Sequence, residues 1–254
     1  MGFALPNGAH VYIAKKYGEA DIIVSATNDK ETVLTLDGAH TQKAGAIVHV
    51  NSGWSGLDEL IARVKAVDAT TITLEGINTT NIDKFPEGGA VGSIRIVEEW
   101  IEISQITDVA NAGGEQQNIQ IQFLADDTQR NVNTFKNARS QTYTIAHDSS
   151  LPFYPVLTSA DETQDTLASY MYVPKAKENR YWSSKVSFNE TPNTAVNAVE
   201  TVTAVLNLQS PAMVFYKLTK GGAEAEVQKG VAVIKAAAAQ KAAAATPAPP
   251  ATEE

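Results

Sequence analysis

Two carboxylates, Glu98 and Glu102, fall on one side of an extended chain with Trp100 between them. Two acids flanking an aromatic platform would suit a glycan site, one acid protonating a leaving oxygen and the other acting on the sugar. A solvated strand face explains the same three residues more simply. Glu98 and Glu99 are adjacent, so a strand points them to opposite faces and they cannot share a proton as a dyad does. Asp126 and Asp127 are a second adjacent pair, set among turn residues. SGWSG at 52 to 56 superficially resembles a nucleophile elbow, but Gly56 follows Ser55 directly and the Gly-x-Ser-x-Gly spacing fails. His10, His40, His49 and His147 lack metal-ligand spacing such as His-x-x-x-His and read as solitary structural side chains. With no cysteine, disulfides and Cys-ligated metals are excluded. There is no Gly-Lys-Ser/Thr phosphate loop and no dinucleotide fingerprint. The expectation is a protein without cofactor, metal or catalysis.

The elements that would position any of these residues are strands. The clearest signal runs from Arg180 to Tyr216. Val202, Ala204, Leu206 and Leu208 alternate with Thr201, Thr203, Val205 and Asn207, giving one apolar face and one neutral polar face. Trp182, Ser184, Val186 and Phe188 alternate more weakly with Tyr181, Ser183, Lys185 and Ser187. NETPNTAVNA, a polar loop with a Pro-Asn turn signal, joins the two runs into a long hairpin.

Elsewhere the pattern is short strands. Ala46–Val50, Leu60–Val67 and Thr70–Glu75 suggest a meander within residues 40–92, closed by PEGGAVG. Ile94–Ile103 follows. Asn118–Leu124 places Ile119, Ile121 and Phe123 inward and Asn118, Gln120 and Gln122 outward, with Thr142–His147 as its expected partner. One helix is expected, capped by Ser149 or Ser150 with Pro152 in its first turn and Phe153, Val156, Leu157 and Ala160 as its buried stripe. Thr166–Val173 is a further strand. Residues 1–36 are sparsely patterned and are expected to form a mobile arm or loop with one or two strands. These elements predict a mainly β fold, an antiparallel sandwich or distorted barrel with one short flanking helix.

The body spans 1–218, and 219–254 is an Ala/Pro-rich low-complexity segment expected to be a disordered tail. Four acids and four bases lie after Leu218, which leaves the body 25 of the 29 acids and 16 of the 20 bases. The net charge of −9 therefore belongs to the body. Such a surface is poorly suited to gripping phosphate backbones, which takes clustered Lys and Arg. No apolar run approaches the ~20 residues of a membrane-spanning helix. The opening MGFALPNGAHVYIAKK does not read as a secretory signal.

The strand ending VSFNETP, the polar loop, and the strand VETVTAVLNLQSPA together resemble the closing hairpin of tailed-phage tail tube proteins. AGAIVHVNSGWSGL…ARVKAVDATTITLEG, GGEQQNIQIQFLADDTQR and LPFYPVL extend the resemblance over roughly residues 20 to 215. The resemblance implies a β-sandwich shared with the type VI secretion tube protein. It implies a virion protein, assembled in the host cytoplasm, whose hexameric rings stack around a tape-measure protein between tail terminator and tail-tip or baseplate proteins. The tube later passes double-stranded DNA without reading its sequence or inserting into a membrane. On this reading Asn118, Gln120, Gln122, Thr201 and Thr203 line the channel, and the hairpin bearing Trp182, Val186, Phe188, Val202, Leu206 and Leu208 is the assembly element. The competing readings are a monomeric virion-surface or adhesin-type sandwich, disfavoured because the aromatics sit in strands, and a glycan hydrolase using Glu98 and Glu102.

Overall fold

The computed structural model describes residues 5–40 and 42–218, so the expected 219–254 tail lies outside the described residues. Fourteen strands and one helix follow in the order β1 (His10–Ala26), β2 (Val33–Leu36), β3 (Ile47–Ser52), β4 (Leu60–Asp68), β5 (Thr71–Leu74), β6 (Gly92–Ile103), β7 (Ile106–Ala112), β8 (Gln116–Ile121), β9 (Arg130–Lys136), β10 (Ser140–Ala146), α1 (Tyr154–Thr163), β11 (Thr166–Val173), β12 (Glu178–Asn193), β13 (Thr201–Leu208) and β14 (Val214–Lys217). The fold is mainly β and antiparallel with one short helix, as the sequence predicts.

Residues 10–26 are the chief correction to the sequence reading. In place of a mobile arm they form β1, one continuous strand of 17 residues at the centre of the sheet. Its two ends serve different cores. Val11 and Ile13 enter one cluster with Ile103, Tyr143, Trp182 and Leu206, while Ile23 enters another with Leu34, Val50, Ile72 and Ile94. The polar middle, KKYGEA, bridges them. It pairs with β6 through three register shifts, and bulges of this kind bend a strand. Gly18 sits in this bend, where a β-carbon would come within 2.6 Å of the Ile96 side chain.

Beyond the bend, β1 pairs with β2 as well as β6, and β2–β5–β4–β3–β6 completes the circuit. The result is a closed six-stranded barrel filled by short aliphatic side chains. The other halves of β1 and β6 begin an open, curved sheet that continues through β11, β12, β13, β10 and β7. Helix α1 covers one side of it with Leu157 and Ala160, joined by Phe153 at the N-cap. The helix does not start at a serine cap. Phe153 occupies the N-cap without a side-chain bond, the first-turn proline is Pro155, and Ser150 instead turns its N–H and hydroxyl onto Asp148 at 2.9 and 2.6 Å.

Barrel and sheet are locked together by polar groups. The Tyr216 hydroxyl accepts the Arg63 N–H at 2.9 Å and donates to the Glu75 carbonyl at 3.1 Å. Ser183 on β12 donates to the Glu59 carbonyl at 2.5 Å. Tyr17 accepts the Ala168 N–H at 2.6 Å, and burial pushes its phenol up to about 12. His49, with its side chain fully buried, places Nε2 2.6 Å from the Glu59 carboxylate, and Asn51 donates to the same group at 2.9 Å.

Two predictions follow from this architecture. Burial works to raise the Glu59 carboxyl, but the His49 and Asn51 hydrogen bonds and the nearby Arg95 hold it below its ordinary value of 4.5. Its stabilising effect is therefore complete above that ordinary value and is lost as pH falls through the depressed one. Glu59→Gln is expected to cost about 1–3 kcal/mol at neutral pH, and urea titrations in acid should show the gap to wild type closing below pH 4.5. Gly113 has φ +81°, and a β-carbon there would collide with the Ala138 carbonyl. Gly113→Ala should cost about 1 kcal/mol or more and, in hydrogen exchange, selectively deprotect residues 106–146.

Candidate assembly surface

In an antiparallel pair, residues directly opposite share a face. The register therefore defines what β12, β13, β10 and β7 present on the side away from the α1 core. Thr201, Thr203, Val205 and Asn207 oppose Ala146, Thr144, Thr142 and Ser140 across the β13–β10 ladder. On the far side of β10, Thr144, Thr142 and Ser140 oppose Asp108, Ala110 and Ala112. On the far side of β13, Thr203, Val205 and Asn207 oppose Asn189, Ser187 and Lys185. This face is built of hydroxyls, amides and methyls, with Asp108 and Lys185 as its charged members. Beneath it, Tyr143 donates to Gln141 and Gln141 donates to Asn111, both at 3.0 Å, tying β10 to β7.

The two borders of this four-stranded patch differ. Past Lys185, β12 has α1 beside it, and Asp161 accepts the Phe188 N–H at 3.2 Å. β7 at the other border ends the sheet order, and six of its seven residues are exposed. A strand in that position offers a row of backbone donors and acceptors to another chain.

From β7 the chain continues outward as an arm. Gly113 and Gly114, both at positive φ, turn it into β8, which pairs with β9 in a separate two-stranded sheet. Asn118 and Gln120 oppose Asn133 and Asn131 on one face of the arm, and Ile119 opposes Val132 on the other. The sequence alternation is real, but the expectation that Ile119 and Phe123 point inward is wrong. They are 54% and 58% exposed, because no second layer covers the arm. Leu124, Val132 and Phe135 are exposed with them. The expected pairing with Thr142–His147 also fails, since β10 pairs with β7 and β13 instead. The arm's turn is held by Arg130 against Asp126 at 3.0 Å and by Gln122, which donates to the Asp126 carbonyl at 2.9 Å.

The channel candidates thus occupy three settings: Thr201 and Thr203 on the neutral face, Asn118 and Gln120 on the amide face of the arm, and Gln122 in its turn. Of the hairpin residues, Trp182, Val186, Phe188, Val202 and Leu206 are buried in the protomer's own core, with Leu208 packed against it. Each is worth roughly 1.5–3 kcal/mol to the protomer itself. Sequence reasoning missed β7 and β9, whose residues are exposed on both sides and carry no periodic signal.

The residues that suggested catalysis are dispersed. Glu102 meets His10 at 2.7 Å and Glu98 meets Lys16 at 2.5 Å, so each acid has its own partner across the β1–β6 ribbon. His40 contacts the Asp68 carbonyl at 2.8 Å, and Trp54 of SGWSG packs edge-on against Phe85 in the core. Among the described residues no three His, Cys, Asp or Glu side chains are arranged to hold a metal, and no helix is long and apolar enough to cross a membrane.

A comparison with curated proteins finds no match. A comparison with protein families matches residues 52–217 to phage tail tube protein, TTP. That match takes in the arm, the neutral face and the β7 edge. The chain belongs to the phage tail tube protein family, and its role is that of a structural, self-assembling component of the virion tail.

Proposed function

We propose that six copies of this chain form a ring, that rings stack into the tail tube, and that the neutral face of β12–β13–β10–β7 lines its channel. The observation that carries this reading is that face itself, rich in Thr, Ser and Asn and next to the open β7 edge. DNA must slide through a tail channel, and a wall that bound phosphate would act as a brake. Hydroxyls and amides hold a water layer without supplying the cationic contacts on which backbone affinity depends. The acid excess of the body works in the same direction. The β7 edge carries the sheet into the neighbouring copy, so that adjoining patches form one continuous wall.

In this role the protein is non-catalytic. It is assembled in the host cytoplasm around a tape-measure protein, ends at terminator and tail-tip or baseplate proteins, and passes the genome without reading it. Residues 1–218 suffice for polymerisation, since the wall, the open edge and the arm all lie within them.

Electron microscopy of the purified protein is expected to show hollow tubes built of sixfold rings, and featureless monomers would refute the reading. A chain ending at Leu218 should form the same tubes. Thr142→Arg combined with Thr203→Arg should leave tubes intact yet slow genome release, most at low salt where screening is weakest. Unchanged release from intact tubes would show that this face lies elsewhere.

A further inference from the structure

We propose that the apolar side of the β8–β9 arm in one copy seats on the Thr194–Glu200 turn of the next copy along the strands. This rests on the tube reading and adds to it the axial contact between subunits. Register places the two surfaces at opposite ends of the four-stranded patch. At one end Ala112, Ser140 and Asn207 lie side by side, and the arm projects past them. At the other end Ile106 pairs with Ile145 and Ala146 with Thr201, and the turn joining β12 to β13 projects past these.

Both ends are apolar and bare. Val196 and Val199 on the turn are 91% and 71% exposed, and Ile119 and Val132 on the arm are also exposed. A two-stranded ribbon with one apolar side is marginal in water and is stabilised once that side is covered. The occupant that fits is a second copy of the same chain. The two surfaces are different and point in opposite directions, so their contact is head-to-tail. Contacts of that kind do not close on themselves, and they propagate into open assemblies. A tube needs that geometry along its axis.

Introduced charge tests the pairing. One variant carries Ile119→Lys and Val132→Lys on the arm, a second carries Val196→Asp and Val199→Asp on the turn, and a third carries all four. The turn sites are exposed, so the thermal midpoint of the second variant should stay at the wild-type value. By sedimentation and microscopy, each of the first two should need roughly tenfold or more protein to polymerise. The four-site variant, and an equimolar mixture of the first two, should recover tubes because Lys then faces Asp. Normal polymerisation of the turn variant beside normal wild-type tubes would overturn the proposal. So would failure of both the four-site variant and the mixture to recover. Absence of tubes from the wild type would instead sink the tube reading on which this one rests.

Discussion

The constraint on which the rest depends is that one ribbon, β1 with β6, must serve two hydrophobic interiors. Neither strand can satisfy both with unbroken alternation, because side chains would keep returning to the same two faces along its whole length. Three register shifts solve the problem by turning the ribbon between Ala14 and Ala20. On one side Val11, Ile13 and Ile103 complete the interior that α1 plugs. On the other, Ile23 and Ile94 complete the small barrel. A third cluster, with Ala14, Val97, Tyr181 and Tyr216, fills the corner between them.

That division of labour leaves the neutral face available. Along β13, β10 and β12 beyond Lys185 the buried side chains point to the α1 core, so the outer positions there carry no packing duty and can be small and polar. The Tyr216, Ser183 and Tyr17 hydroxyls fasten the barrel to the sheet, and α1 shields the border of β12. β7 is left as the unshielded strand, at the base of the arm. The open β7 edge and the arm thus contribute no buried residue to the protomer's core.

How much of this was legible in the sequence depended on what each signal encodes. Alternation along Val202, Ala204 and Leu206 gave the strand, its buried face and the polar row of Thr201 and Thr203, because a full layer packs against that strand. The same alternation at Ile119 gave the strand but misled about burial, since periodicity says that a face is apolar and not what covers it. β1 is not legible as one strand because its middle lies between two cores and carries ion pairs such as Lys15 with Glu99 at 3.0 Å in place of apolar alternation. The helix was found from its stripe, but its start was misplaced, because Asp148 engages the serine expected to cap it. The Glu98–Trp100–Glu102 constellation dissolves because register gives each acid a separate partner, Lys16 for Glu98 and His10 for Glu102.

Sequence separation along this topology sets an order of events. β1 pairs with β11 through Tyr12 and Tyr170, and the face between β10 and β12 is missing until β13, at residues 201–208, arrives. Contacts of such long range close slowly, because the loop entropy is spent before they form. During synthesis the chain can therefore complete its barrel early, while the face shared by β10, β13 and β12 waits for residues 201–208. The barrel consequently stands beside an incomplete sheet until β13 has been made.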